Sequence, residues 1–120
     1  MLINLSNHSH DAWSGEQLAA AAVYGDVSDM DFPNVPKSAD EVWIAQTAGA
    51  VCREILSEHP DAVLVQGEMA LTYSIVKLLR DNGITVVCAS SERCCETEIA
   101  PDGSTVRRSV FRFVRFRKYL

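Results

Sequence analysis

Long apolar runs are missing from this sequence of 120 residues. No apolar stretch approaches the ~18 residues that a membrane-spanning helix needs. The first residues, MLINLSNHSHD, contain neither a basic segment nor a long apolar one. We therefore expect no membrane span and no secretory signal. The sequence predicts a cytoplasmic protein with a single domain over residues 1–120, close to the commonest domain size.

Residue spacings typical of metal sites and glycine-rich phosphate loops are also missing. The four cysteines include no C-x-x-C pair, and they are Cys52, Cys88, Cys94 and Cys95. Neither a zinc site nor a disulfide framework is predicted, and reduced thiols in a cytosolic core fit better. No G-x-x-x-x-G-K-[ST] or G-x-G-x-x-G segment occurs, which argues against the two common glycine-rich phosphate loops. We expect no metal and no cofactor.

Acidic side chains are absent from residues 107–118, RRSVFRFVRFRK, which hold six of the eleven basic residues. The preceding 106 residues hold five basic and sixteen acidic residues, a net charge of −11. Basic residues interleaved with aromatic ones are typical of nucleic-acid binding, but Glu96 and Glu98 offer cross-strand partners. Strict alternation places Phe113 and Phe116 on opposite faces. The pattern favours a buried strand or a dimer contact over binding of long nucleic acid.

Hydrophobic periodicity predicts strands that alternate with helices. Capping boxes begin the first two helices, at Ser14 with Gln17 and at Ser38 with Glu41. The predicted elements are a strand at 2–6, a helix at 15–24, a strand at 27–32, a helix from the second capping box to Pro60, a strand within 61–68, a helix from Met69 to the Asn82–Gly83 signal, a strand at 84–89 and hairpin strands at about 94–100 and 105–117. This order indicates an α/β, Rossmann-like three-layer domain, with a parallel sheet (β-α-β-α-β-α-β) and a C-terminal antiparallel β-hairpin.

A ligand crevice is expected where the strand order of such a sheet reverses. Open α/β sheets bind ligands beyond the carboxyl ends of the strands at that point. With the order 2-1-3-4, the crevice lies between the first and third strands. The loops that meet there contribute Ser6, Asn7 and His8, then Gln66, Gly67 and Glu68, and finally Ser90, Ser91 and Arg93.

Several of these residues have a second interpretation. His8, His10 and Asp11 could bind a metal, form a solvated loop, or serve a metal-free site. Glu68 could contact a ribose or only begin a helix, and Arg93 could hold a phosphate or form a surface ion pair. Thr72, one turn into the third helix, could face the crevice or the core.

Three stretches of the chain resemble small proteins encoded with type III CRISPR systems, which have a CRISPR-associated Rossmann fold (CARF). They are LINLSNHSHDAWSGEQL, DAVLVQGEMALTYSIVKLLRDNGITVVCASSER and SVFRFVRFRKY. The resemblance implies a homodimer that binds a cyclic oligoadenylate, foremost cyclic tetraadenylate, across its two-fold axis. Stand-alone proteins of this kind are often ring nucleases, which cleave the cyclic messenger and end the antiviral response.

The resemblance also implies roles for individual residues. His8 would act as general base or acid, Glu68 would hold the ribose or share the proton transfer, and Arg93 would offset developing charge. The ligand contacts would come from Ser6, Asn7, Gln66, Gly67, Thr72, Ser90 and Ser91. Family members usually place a Lys, Arg or hydroxyl residue in these loops, and neither loop here has a basic side chain, so a cationic phosphate contact must come from Arg93 or the last strand. The alternatives are a sensor or sponge without turnover, a nucleic-acid-binding accessory protein, and a metal-dependent phosphodiesterase.

Overall fold

Strands and helices alternate along the chain until two long strands end it, in a computed structural model that describes residues 1–120. None of the helices has the length and apolar composition of a membrane span. The elements are β1 (Leu2–Ser6), a 3-10 turn (His10–Ala12), α1 (Gly15–Ala21) continued by a 3-10 turn (Ala22–Tyr24), β2 (Val27–Asp31), α2 (Glu41–Ser57), β3 (Ala62–Val65), α3 (Met69–Asp81), β4 (Thr85–Ile99) and β5 (Thr105–Lys118).

The strands form one five-stranded mixed sheet in the order β2-β1-β3-β4-β5. The first four strands are parallel, and β5 pairs antiparallel with β4. The predicted α/β class and the order 2-1-3-4 are confirmed. Because β1 lies between β2 and β3, the strand order reverses next to β1, at the expected position of the crevice.

The hydrophobic core lies on both faces of this sheet. On one face, Ile3 and Val65 pack with α2 and α3. On the other face, Leu2 and Leu64 pack with Ala21 of α1. Strands buried on both sides explain the continuous apolar run of β3. Burial also raises the pKa of the Cys52 thiol, which lies in the first cluster, to about 11.

The helices begin at side-chain caps, one of which differs from the prediction. The Ser14 hydroxyl accepts a hydrogen bond from the Gln17 amide and begins α1 as predicted. The capping box at Ser38 is wrong, because Asp40 accepts from the Trp43 amide and α2 begins after it. Both residue types are good N-caps, and the carboxylate two positions later displaces the serine.

The predicted fourth strand and hairpin are one continuous feature, which corrects the sequence prediction. β4 runs over 15 residues, so SSER is part of a strand and not a loop. Beyond Val87, β4 pairs only with β5. We call residues 91–113 the hairpin arm. It projects from the domain, since the radius of gyration is 17.2 Å against about 14 Å for a compact chain of this length.

A β-bulge in β5 changes which residues share a face. Ser90 pairs with Arg115 and Ser91 with Phe113, so Val114 is an extra residue. The bulge brings Phe113 and Phe116 to the same face, with ring centroids 5.0 Å apart. The predicted opposite placement of these two rings is therefore wrong, because simple alternation fails across a bulge.

Candidate functional site

A crevice of about 550 Å³ lies at the carboxyl ends of β1 and β3, on the α1 side of the sheet. Its volume is in the range of small-molecule sites. His8 is the only titratable side chain among its lining residues, and the others are neutral polar or apolar. The lining consists of Ser6, Asn7, His8, Trp13, Gln17, Leu64, Gln66, Gly67, Ala89, Ser91 and Phe111. The structure thus brings together the loops after β1 and β3, as the sequence predicts.

The loop after β1 is held in place by Asn4, a side chain that is 1% exposed. Its Nδ2 donates to the His8 carbonyl at 2.7 Å and to Asp29 Oδ1 at 2.8 Å. Its Oδ1 accepts from the Ser6 hydroxyl at 2.8 Å, and the same hydroxyl accepts from the His8 amide. Ser6 therefore serves the loop itself. The His8 imidazole makes no hydrogen bond within the chain and is exposed beside the crevice.

His10 faces away from the crevice and pairs with Asp29 of β2. Its Nδ1 lies 2.8 Å from Asp29 Oδ2, and its ring also packs edge-on against Trp13. Asp29 further accepts from the Ser9 hydroxyl and the His10 amide. No group of three or more His, Cys, Asp or Glu side chains is gathered where a metal could bind. His10 therefore helps anchor the loop that carries His8.

Gln66 and Gly67 form the junction between β3 and the crevice. The Gln66 Oε1 accepts from the Ala89 amide at 2.9 Å, just where β3 and β4 stop pairing. Its amide NH₂ makes no hydrogen bond within the chain, so two donors are available to a ligand. A Cβ on Gly67 would lie 2.5 Å from the ring of Phe32. This position therefore requires glycine for close packing.

The residues predicted in the loop after the fourth strand divide between two faces of β4. Ser91 lines the crevice. Its neighbour Ser90 points to the other face, as alternation in a strand requires, and accepts from Arg117. Arg93 is on the face of Ser91 but beyond the crevice, and it donates to the Ser109 hydroxyl at 3.3 Å. Neither Ser90 nor Arg93 is thus a crevice residue.

Glu68 and Thr72 lie outside the crevice. The Glu68 carboxylate caps α3, accepting from the amides of Ala70 at 2.9 Å and Leu71 at 2.8 Å. These two hydrogen bonds, the Leu71 bond being the stronger cause, lower the pKa of the carboxyl. Thr72 lines a separate cavity on the α3 side of the sheet, which shares only Gln66, Gly67 and Ala89 with the crevice. Its hydroxyl is buried without a hydrogen-bond partner.

Part of the basic charge of β5 is used within the hairpin. Arg108 pairs with Glu98 at 3.4 Å and Arg112 with Glu96 at 3.2 Å, as the sequence predicts. Arg115 donates to a backbone carbonyl, and Arg117 donates to Ser90 on the same sheet face. Charges held in this way are less available to a nucleic-acid backbone than a free basic stripe would be.

Five crevice residues were not among the predicted site residues, namely Trp13, Gln17, Leu64, Ala89 and Phe111. Trp13 looks like a helix-flanking hydrophobe in the sequence, but its ring packs 6.0 Å from Phe116 and lines the crevice. Gln17 belongs to the capping sequence of α1. Phe111 belongs to a strand that the sequence places at the sheet edge. Aromatic residues in the loop before α1 and in the last strand were the available signal.

Comparison with known proteins places the chain in a family. The model of the Uncharacterized protein MJ1673 family matches residues 1–117. The chain belongs to the MJ1673 family. A similar relative is Uncharacterized protein MJ1673 of Methanocaldococcus jannaschii, which is 28% identical over 100 residues, covering 74% of this chain and 77% of that protein. The match to the MJ1673 family includes both crevice loops and nearly all of the hairpin.

The hydrogen bonds to Asp29, which hold the loop after β1, should make the stability of this MJ1673-family chain depend on pH. Burial would raise the pKa of Asp29, but hydrogen bonds from Asn4, Ser9 and His10 outweigh it and lower the pKa from 3.8 to about 2. A carboxyl group whose pKa is lower in the folded than in the unfolded protein stabilises the fold at pH values above the unfolded-state pKa. That contribution is lost as the pH falls through the folded-state pKa. Between pH 5 and pH 2, the stability advantage of the wild type over Asp29→Asn should shrink in urea titrations. Asp31→Asn, on the same strand but without side-chain hydrogen bonds, is the control for the loss of one carboxylate from β2.

Glu68 should act as a helix cap. Glu68→Ala removes both hydrogen bonds to the start of α3 and should lower the melting temperature measured by circular dichroism. Glu68→Ser keeps a capping oxygen and should retain most of the melting temperature. A Glu68→Ala variant that melts like the wild type would show that the two hydrogen bonds do not stabilise the start of α3.

Gly67→Ala should destabilise the protein through Phe32. The new methyl group would overlap a buried ring, and overpacking of this kind costs about 1–3 kcal/mol. Gly15→Ala is a matched control, since nothing lies within 4 Å of the added Cβ, and it should be neutral or slightly stabilising. Urea unfolding measures both. If Gly67→Ala unfolds like the wild type, the contact with Phe32 does not restrict this position.

Proposed function

We propose that the chain is a Rossmann-like, CARF-type domain that binds a cyclic oligoadenylate, foremost cyclic tetraadenylate, in the crevice at a homodimer interface. The observation that carries the proposal is the neutral crevice at the reversal of strand order, lined by two aromatic rings and several amide and hydroxyl groups. A nucleoside needs such groups for stacking and hydrogen bonding.

The size of the crevice supports a two-fold arrangement. A cavity of about 550 Å³ suits a ligand of roughly one or two nucleotides, because drug-sized ligands occupy about 300–1,000 Å³. A ring of four nucleotides would extend beyond one crevice. Two crevices related by a two-fold axis would hold it, since each copy presents the same surface in a closed dimer.

We further propose that the bound cyclic oligoadenylate is cleaved without a metal. The ribose 2′-hydroxyl attacks the adjacent phosphorus as its proton passes to His8. The bond from phosphorus to the 5′-oxygen breaks, and that oxygen takes a proton. The products are a linear strand with a 2′,3′-cyclic phosphate and a 5′-hydroxyl, and no water is consumed. His8 can serve because its imidazole lines the crevice without any partner in the chain, and positioning contributes much of such a rate.

The experiment is incubation of the purified protein with cyclic tri-, tetra- and hexaadenylate in EDTA, followed by chromatography and mass spectrometry of the nucleotides. We expect cyclic tetraadenylate to yield linear products that carry a 2′,3′-cyclic phosphate. Cyclic nucleotides that stay intact and also fail to bind would overturn the proposal.

A second candidate is a sensor or sponge that binds the ring and leaves it intact. It is favoured by the single titratable side chain in the crevice and by the capping role of Glu68. The same incubation separates the two candidates. Tight binding with an unchanged nucleotide indicates the sponge, whereas linear products indicate the ring nuclease.

A further inference from the structure

An exposed aromatic ring forms part of the crevice. Phe111 is 74% exposed although it lies on a strand of the sheet, and it lines the crevice together with Trp13. The Trp13 ring packs against the rings of Phe116 and His10. Exposed phenyl surface is unfavourable in water, whereas an aromatic face can stack any nucleobase. These rings therefore suit a planar heteroaromatic ligand.

A cation lies directly beside this ring. Arg93 pairs with Phe111 across the β4–β5 ladder, and residues directly opposite in an antiparallel pair have Cβ atoms about 4.5–5.5 Å apart. Both side chains are on the face that carries the crevice. The Arg93 guanidinium donates to the Ser109 hydroxyl at 3.3 Å, further out along the arm and outside the crevice lining. A neutral aromatic pocket thus has an exposed arginine next to its outer ring.

We infer that each nucleotide unit binds with its base inside the crevice, stacked on Phe111, and with its phosphate outside, at Arg93. The base edge would meet the amide groups of Gln17 and Gln66, both of which line the crevice. The reverse orientation would place a phosphate among side chains without a fixed positive charge, where the Ser6 hydroxyl is already engaged. This inference rests on the proposed function, because it assigns the orientation of a nucleotide in the same crevice.

The test uses small probes that separate base from phosphate. Adenosine, adenosine 5′-monophosphate and ribose 5-phosphate are titrated by NMR into the wild type, Phe111→Ala and Arg93→Gln. Phe111→Ala should weaken both adenine probes equally, by roughly 5- to 150-fold, the range found for loss of one base–aromatic stack. Arg93→Gln should weaken only the monophosphate, by about 3- to 10-fold, as expected for an exposed charge-assisted contact. Ribose 5-phosphate should bind much more weakly than the monophosphate.

Two controls distinguish recognition from a general effect on the arm. Phe111→Tyr keeps an aromatic face and should retain adenosine binding. Arg107→Gln removes another arginine of the arm, opposite Thr97, and should leave all three probes unchanged. An Arg93→Gln variant that loses adenosine as strongly as the monophosphate would overturn the orientation, as would ribose 5-phosphate binding as tightly as the monophosphate.

Titration with cyclic tetraadenylate distinguishes a failure of this inference from a failure of the proposed function. If the mononucleotide behaves as expected and the cyclic ring does not bind, the orientation stands and the proposed messenger is wrong. If the ring binds and Phe111→Ala leaves its affinity unchanged, the messenger stands and the stacking assignment is wrong.

Discussion

Replacing His8 with alanine should slow cleavage of cyclic tetraadenylate by roughly 10²- to 10⁴-fold, the contribution usual for one general acid–base group. The protein itself should be unaffected. Only the backbone of His8 takes part in the hydrogen bonds of the loop, so truncating the imidazole removes no internal hydrogen bond. Single-turnover measurements with excess protein, together with a thermal melt, give both quantities.

Two further variants make this result specific. His8→Gln keeps hydrogen-bonding groups but cannot take up a proton, and it should be as slow as alanine. His59→Asn changes the histidine at the opposite end of β3, where its φ of 52° is a conformation that asparagine tolerates, and it should cleave normally. Full turnover by His8→Ala would contradict the proposed role of His8 in the reaction, and it would not bear on the proposed binding of the ring.

Replacing Asn4 with leucine should destabilise the fold by about 1–3 kcal/mol, because the buried amide gives up its hydrogen bonds to the His8 carbonyl and to the partly exposed Asp29 carboxylate. The side chain is similar in volume, so the loss is one of hydrogen bonds and not of packing. We also expect weaker nucleotide binding, since the loop that carries Asn7 and His8 would no longer be fixed.

Urea unfolding checks this result against Asn34→Leu, an exposed loop position where the change should stay within about 0.5 kcal/mol. If Asn4→Leu were as stable as the wild type, the buried network would not hold the loop.

The arrangement of the sheet was predictable because it follows from general rules. A continuous apolar run indicated β3, and the right-handed crossovers of parallel strands limited the strand order. That order places Ser6, Asn7 and His8 next to Gln66 and Gly67, and the structure confirms it. The crevice could therefore be located before any coordinates were known.

The hairpin and its residues could not be predicted in the same way. In the arm, β4 buries no residue fully, so SSERCC lacks the apolar pattern that marks a strand of the core. The bulge at Val114 then reverses the faces of the residues that follow it. For these reasons the sequence places Ser90 at the crevice and misses Phe111.

Contacts between distant residues were also missed. The pair of His10 and Asp29 depends on the register of β1 with β2, which brings together residues 19 apart. The sequence allowed Glu68 to be either a ligand contact or a residue that begins a helix. The distances from its carboxylate to the Ala70 and Leu71 amides favour the helix cap. Local sequence does not report either distance.

The most direct test of the proposed function is an NMR titration of the isotope-labelled protein with cyclic tetraadenylate in EDTA. The amide signals of residues 6–8, 66–67, 89–91 and 111 should shift together and saturate, while those of the α2–α3 groove around Val35 and Tyr73 should stay in place. No shift, or shifts confined to the groove or to the ion-paired face of the arm, would contradict binding in the crevice.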